Sequence, residues 1–196
     1  MDQQFRLAIF ASGSGTNAEA IVRYFKSHPR ITVALILTNN RDAKVLERAK
    51  RYHIPSRVFT RDQFSSEVLV WLKDEGITHI VLAGFLWLIP NAFVMAYPNK
   101  IINIHPALLP KFGGKGMYGM KVHEQVRKLN EAKTGITIHL VNEKYDDGTI
   151  LYQATCDVKL TDTPHQIAEN VHQLEHEWYP KVIERWVLEE ENSMQL

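Results

Sequence analysis

The sequence of 196 residues has a single cysteine and almost no excess of charge of either sign. Cys156 has no second cysteine in the chain for a disulfide, which favours a reducing compartment. It lies in the strand-like stretch 149–158, so we expect a packing residue rather than a nucleophile. The formal net charge of +1 is too small to indicate a nucleic-acid partner.

Long apolar runs and leader signals are also missing. The longest apolar run, 77–90, is interrupted by Thr78, His79 and Gly84, so it is not expected to span a bilayer. No basic segment followed by an apolar stretch opens the chain, and no internal repeat or low-complexity tract divides it. The sequence therefore predicts a cytoplasmic globular protein without a membrane partner, with residues 1–196 forming one domain.

The chain does contain a regular alternation of short β-branched runs and amphipathic segments. Strands are predicted at 6–11, 31–38, 57–59, 79–83 and 100–104. Helices are predicted at 17–27, 43–52, 63–75 and 121–129. This alternation is typical of an α/β fold with a mostly parallel central sheet and helices on both faces.

The end of the chain follows a different pattern. Two strand-like stretches, 135–141 and 149–158, follow each other without a helix, which predicts an antiparallel extension of the sheet. Thr163, Pro164 and Gln166 form a helix-start signature. We expect Pro180 to kink or restart this last helix, which should end near residue 188.

Ligands of open α/β sheets bind beyond the carboxyl ends of the parallel strands. The first loop at this edge, Ser12–Asn17 (the glycine loop), lies between a strand and a helix. Glycines let the backbone approach a ligand, and the helix start offers free N–H groups, so the loop favours a phosphate over a simple tight turn. Its spacing matches neither a dinucleotide fingerprint nor a Walker lysine loop.

Two further stretches place polar side chains at the same edge. Asn103 and His105 are two residues apart at the end of a strand, so their side chains leave the same face. A capping asparagine and a packed histidine are the alternative interpretation. In the turn 145–148 an aspartate could reach a histidine across the sheet edge and raise its pKa.

Taken in order, these motifs resemble the phosphoribosylglycinamide formyltransferases, folate-dependent enzymes of purine synthesis. The resemblance runs from about Arg6 to Trp186. Its motifs are Ser12–Asn17, Val81–Phe85, Asn103–Pro110, Asp146–Gly148 and Glu175-His176. It implies a Rossmann-like formyltransferase fold, with 10-formyltetrahydrofolate as cosubstrate and no metal. We expect small-molecule substrates, no nucleic-acid partner, and a monomer or homodimer.

The resemblance also assigns roles residue by residue. The catalytic positions are Asn103, His105 and Asp146. The positions that bind phosphoribosylglycinamide are Gly15, Thr16, Asn17 and Glu175. The folate-contacting positions are Arg61, Leu86, Trp87, Leu88, Ile89 and Asn103. Two features depart from the family pattern. Trp87 stands where many relatives carry arginine, and the loop Lys111–Gly119 (the flap) is longer and richer in glycine. We expect this flap to be mobile and to cover the site.

The chemistry implied is direct acyl transfer from folate to an amine. Asn103 and a protonated His105 would stabilise the oxyanion, and Asp146 would raise the pKa of His105. A formyltetrahydrofolate hydrolase, with water as acceptor, or another formyl-folate enzyme is the nearest alternative. A metalloprotease is a remote one, because 172–176 reads H-x-x-E-H on a helix.

Overall fold

The structure is a computed structural model that describes residues 3–193, with side chains described for residues 3–189. Seven strands form one sheet in the order β3-β2-β1-β4-β5-β6-β7. The strands are β1 (Phe5–Phe10), β2 (Ile31–Thr38), β3 (Ser56–Val58), β4 (His79–Leu82), β5 (Ile101–His105), β6 (Lys133–Leu140) and β7 (Ile150–Asp157). The first five are parallel, whereas β6 and β7 pair antiparallel, as the sequence predicts.

Helices cover both faces of the sheet. They are α1 (Thr16–Phe25), α2 (Val45–Arg51), α3 (Arg61–Ser66), α4 (Val68–Asp74), α5 (Asn91–Ala96), α6 (Met120–Lys128) and α7 (Pro164–Ser193). Leu7 and Ile9 of β1 face the core formed with α1, α2, α6 and α7, while Ala8 and Phe10 face the core formed with α3, α4 and α5. Burial on both faces explains why the central strands read as continuous apolar runs.

The structure differs from the sequence prediction at three helices. The helix predicted at 63–75 is two helices, α3 and α4, that meet at Glu67. The Ser65 and Ser66 hydroxyls donate hydrogen bonds to the carbonyls of Arg61 and Asp62, a local competition that weakens a helix. The short helix α5 begins after Pro90 and lies within a stretch that the sequence reading left unassigned.

The last helix is continuous through Pro180 and extends to Ser193, beyond the predicted end. A restart at the proline is therefore wrong. Tyr179 donates hydrogen bonds to the carbonyls of Leu82 and Ile102, and Ile183 is fully buried, so tertiary packing holds the helix against the sheet. This packing outweighs the main-chain hydrogen bond that a proline removes.

Cys156 is half-buried on β7 against the core formed with α1, α2, α6 and α7, and burial raises the pKa of its thiol, in keeping with a packing role.

No helix within residues 3–193 combines the length and apolar character required to cross a membrane.

Candidate active site

A cavity of about 640 Å³ opens at the carboxyl ends of β1, β4 and β5. The segments that line it are the glycine loop, 82–89, 103–106 and part of the flap, 114–119, together with Met120, His123, His139, Val141, 144–146, His172 and Glu175. The three loops singled out from the sequence therefore meet in one place. This is the sheet edge where ligands of open α/β folds bind.

The glycine loop is held against α2. The carbonyl of Gly13 accepts a hydrogen bond from Val45 N at 3.2 Å, and the carbonyl of Ser14 accepts one from Arg48 Nε at 2.7 Å. Gly15 has a φ of 72°, and a Cβ there would lie 2.5 Å from Val45 Cγ2. Only glycine fits both conditions. The loop thus brings the unpaired N–H groups at the start of α1 to the cavity, where they suit an anion.

Ser12 connects the glycine loop to the segment predicted to contact folate. Its N–H donates to the carbonyl of Gly84 at 3.0 Å, and its Oγ accepts from Leu86 N at 3.1 Å. Leu86, Trp87, Leu88 and Ile89 all line the cavity. Leu86 and Leu88 are partly exposed while Ile89 is buried, so the segment presents an apolar wall.

Arg61 is placed differently from the other predicted site residues, because it does not line the cavity. Its guanidinium lies over the ring of Trp87, 3.9 Å from the ring centroid. The Trp87 ring also meets Phe59 and Phe64 at its edges. Arg61 therefore supports a side chain that lines the cavity, a relationship that the sequence did not reveal.

Asn103, His105 and Asp146 converge at the centre of the cavity. Asp146 Oδ1 lies 3.5 Å from Asn103 Nδ2, and Oδ2 lies 3.5 Å from His105 Nδ1. The backbone of Asp146 is left-handed, with a φ of 52°, a conformation that aspartate and asparagine tolerate better than most residues. The expectation that an aspartate of this turn reaches a histidine across the sheet edge is confirmed.

The protonation state predicted for His105 is wrong for this geometry. Burial lowers the pKa of His105, and the charge of Asp146 and the hydrogen bond to Phe112 offset this only in part. His105 is therefore neutral near pH 7. Burial alone would raise the pKa of Asp146, but the close approach of His139 and His105 and the N–H of Gly114 outweigh burial and lower it. The carboxyl group is therefore ionised.

His139 belongs to this cluster although the sequence analysis did not select it. Its Nδ1 donates to the carbonyl of Leu140 at 2.7 Å, which leaves Nε2 to accept a hydrogen bond from Asn103 Nδ2 at 3.1 Å. Nε2 also lies 3.7 Å from Asp146 Oδ1. His139 pairs directly with Asn103 across β5 and β6, so the antiparallel register was the signal that could have identified it.

The flap contacts the same cluster. His105 Nε2 donates to the carbonyl of Phe112 at 2.7 Å, and Gly114 N donates to Asp146 Oδ2 at 2.9 Å. Phe112, Gly114, Gly116 and Gly119 all have positive φ angles, which explains why glycine is frequent here. The flap lies over the cavity as expected, and its mobility stays a prediction.

A second polar cluster surrounds Glu175, which also lines the cavity. Glu175 is only 4% exposed, and its Oε2 accepts hydrogen bonds from Asn17 Nδ2 at 3.0 Å and His172 Nδ1 at 2.7 Å. Asn17 belongs to the glycine loop, so the cluster connects the predicted phosphate site to α7. His123, which the sequence analysis left as a default packing or surface histidine, also lines the cavity, and burial lowers its pKa to about 4.

The H-x-x-E-H pattern does not build a metal centre in the described part of the chain. The rings of His172 and His176 are stacked nearly parallel with centroids 6.3 Å apart. Among the described residues, no group of three or more histidine, cysteine or carboxylate side chains is arranged to hold a metal ion. The geometry therefore gives no support to the metalloprotease alternative.

Comparisons with known proteins agree with the geometry. A phosphoribosylglycinamide formyltransferase of Arabidopsis thaliana is 41% identical over 91% of this chain and 64% of its own length, and one of Bacillus subtilis is 38% identical over 92% of this chain and 93% of its own. The crystal structure of glycinamide ribonucleotide transformylase 1 from Geobacillus kaustophilus superposes with a TM-score of 0.84 at 40% identity, covering 92% of this chain and 97% of that one.

The chain spans just under two thirds of the Arabidopsis relative and nearly all of the Bacillus one. Residues 5–183 match the formyl transferase family, which is most of the described fold. This chain therefore belongs to the formyl transferase family.

Proposed function

We propose that the protein transfers the formyl group of 10-formyltetrahydrofolate to the amino group of 5-phosphoribosylglycinamide, a step of purine synthesis. The observation that carries this proposal is the convergence of Asn103, His105 and Asp146 in one cavity with the glycine loop. An amide donor, an imidazole and a carboxylate suit acyl transfer to an amine. A phosphate-binding loop at the other end suits the phosphorylated acceptor.

The two substrates would enter from different sides of the cavity. The apolar wall of 86–89 and the Trp87 ring held by Arg61 suit the flat pterin of the folate. The glycine loop, with Gly15, Thr16 and Asn17 at the start of α1, suits the phosphate of the acceptor. Glu175 lies beside Asn17 and is, with Asp146, one of two carboxylates that line the cavity, so it suits the acceptor's amino group.

Once the bound ammonium has released its first proton to solvent, the neutral amine attacks the formyl carbon, which places negative charge on the formyl oxygen. One N–H of Asn103 is held by His139, while the other makes only the long 3.5 Å contact with Asp146. This second N–H is the donor that would turn to the formyl oxygen. A fixed donor of this kind in a site that excludes water contributes about 3 kcal/mol to lowering the barrier.

His105 would supply the second interaction. Its Nε2–H bonds the flap carbonyl of Phe112, so this contact must open before the N–H reaches the formyl oxygen. Negative charge on that oxygen then lets the neutral ring take up the proton that the attacking amine loses, and Asp146 stabilises the resulting imidazolium from the Nδ1 side. The pKa of His105, which burial lowers before the reaction, therefore rises as the oxyanion develops.

Proton transfer completes the exchange. The attacking nitrogen loses one proton as the C–N bond to folate breaks, and N10 of the folate gains one, which gives the formylated amide and tetrahydrofolate. His105 would give that proton to the leaving nitrogen. No side-chain nucleophile is required, because the incoming amine forms the new bond itself.

The experiment that tests this proposal measures tetrahydrofolate release from 10-formyltetrahydrofolate with and without 5-phosphoribosylglycinamide. We expect release only when the amine is present, with one formylated product per tetrahydrofolate. Release at the same rate without the amine would instead identify a hydrolase. No release under either condition, with purified folded protein, would contradict the proposal.

A further inference from the structure

His172 connects the buried carboxylate of Glu175 to solvent. Its side chain is 53% exposed, whereas that of Glu175 is 5% exposed, and the two are joined by a 2.7 Å contact between Nδ1 and Oε2. Asn17 Nδ2 occupies the same oxygen. Among the described residues no hydrogen bond ends at the other oxygen, Oε1, which leaves it to a ligand of the cavity.

An ammonium group is the ligand chemistry that a buried carboxylate favours. Glu175 already has one potential cation beside it, because His172 carries a positive charge when protonated. Two cations on one carboxylate repel each other, so the imidazolium form of His172 and a bound ammonium compete for Glu175.

Several other titratable side chains interact electrostatically with Glu175, and they come from β5, α6 and α7. They are His105, His123, His172, His176 and Tyr179. Burial is the largest effect on the pKa values of His105, His123 and His176, and it lowers all three. The charge of Arg48 lowers the pKa of His176 as well. Burial raises the pKa of Tyr179 well above 10. These four are therefore neutral near pH 7.

His172 behaves in the opposite way. Its hydrogen bond to Glu175 raises its pKa above the ordinary value of 6.5, in spite of the burial that lowers it. Within this cluster, His172 is thus the side chain whose charge changes as the pH passes through the neutral range.

On the basis of the function proposed above, we propose that His172 is a positioning residue that controls access of the substrate's amino group to Glu175. The imidazolium form of His172 competes with this amino group for Glu175, and the neutral form leaves Glu175 to the amino group. Linkage fixes the sign of the effect. Below the pKa of His172 the imidazolium opposes the ammonium, and above it Glu175 is available, so affinity for the amine substrate rises with pH. If the bound ammonium lowers the pKa of His172 by about one unit, the change in affinity is about tenfold.

The kinetic test compares wild type with His172→Gln, whose amide still donates to Glu175 but carries no charge. At about pH 6 we expect the KM for phosphoribosylglycinamide to be about tenfold lower in the variant, and at about pH 8.5 the two values should agree. The turnover number should change less than about twofold, because His172 does not touch the formyl group. His165→Gln, an exposed histidine of the first turn of α7, should match wild type at both pH values.

A second measurement needs no turnover. The imidazole signal that disappears in His172→Gln identifies His172 by NMR, and its pKa is measured with phosphoribosylglycinamide or with ribose 5-phosphate bound. We expect a pKa about one unit lower with the amine, because ribose 5-phosphate offers the phosphate without the ammonium. Equal pKa values with both ligands would overturn the inference.

The two proposals fail in different ways. Absence of formyl transfer by wild type would contradict the proposed function. Normal transfer, with a KM ratio between wild type and His172→Gln that does not change with pH, would overturn the role of His172 alone. A purely structural role predicts that flat ratio, because the loss of a packing contact does not depend on titration.

Discussion

His105 donates a hydrogen bond from Nε2 to the carbonyl oxygen of Phe112 over 2.7 Å. Phe112 belongs to the flap and has a φ of 59°, so a left-handed backbone holds its carbonyl on the central imidazole. In the mechanism proposed above, the flap and the formyl oxygen would therefore require the same N–H group. Departure of the Phe112 carbonyl is a necessary step of the mechanism proposed above.

Asp146→Asn tests the interaction between the carboxylate and His105. Asparagine tolerates the left-handed backbone at this position, so the fold should persist. Loss of the negative charge should lower the pKa of His105 further and reduce turnover about a hundredfold. NMR titration of His105 and a turnover assay measure both effects. Asp147→Asn, which removes an exposed charge next to Lys144, is the control. An unchanged pKa of His105 in Asp146→Asn would disprove the pair.

Gly15→Ala tests the glycine loop. The φ of 72° and the close approach of Val45 leave no room for a Cβ, so we expect a loss of roughly 1–3 kcal/mol in the free energy of unfolding. The KM for the phosphorylated substrate should also rise, because the loop moves. Gly13→Ala, where a Cβ would meet nothing within 4 Å, should cost much less stability. Denaturant titration compares the variants, and equal losses would contradict the argument.

Arg61→Ala tests the support of Trp87. The guanidinium lies 3.9 Å from the centroid of the Trp87 ring, and such a contact contributes about 1 kcal/mol, so the KM for the folate should rise about fivefold. Arg57→Ala removes a similar contact with Trp71, which does not line the cavity, and serves as the matched control. Equal folate KM values for both variants would show that Arg61 has no part in folate binding.

The pKa of His79 predicts how the free energy of unfolding depends on pH. Burial, together with Lys100, lowers the pKa of His79 to about 4, whereas the unfolded chain has about 6.5. The unfolded state therefore binds more protons as the pH falls through this window, and folding is destabilised. From about pH 7 to about pH 5 this histidine accounts for a loss of about 2 kcal/mol in the free energy of unfolding. His79→Gln should show that much less dependence on pH in denaturant titrations, while the exposed His165→Gln should retain it.

The strands and the site loops were predictable because their signals are local. β2 was predicted at 31–38 and occupies Ile31–Thr38, since β-branched residues buried on both faces leave a clear pattern. Asn103 and His105 could be paired from a spacing of two residues alone. A turn at 145–148 was also indicated by its sequence, although neither the left-handed backbone of Asp146 nor its 3.5 Å distance to His105 was.

The remaining features depend on contacts between distant parts of the chain. His139 reaches Asn103 through the register of β5 and β6, and the Arg61–Trp87 stack joins the start of α3 to the loop after β4, so neither has a local signal. The continuity of α7 through Pro180 depends on packing against the sheet. The neutral state of His105 reflects burial, which the sequence shows only indirectly.

The central claim is that His105 stabilises the transition state of formyl transfer. A single-turnover measurement with His105→Gln, at saturating phosphoribosylglycinamide and 10-formyltetrahydrofolate, tests it most directly. The account predicts a rate of transfer lower by about a hundredfold or more, with dissociation constants for both substrates within about twofold of wild type. A rate within about twofold of wild type in a folded variant would contradict it.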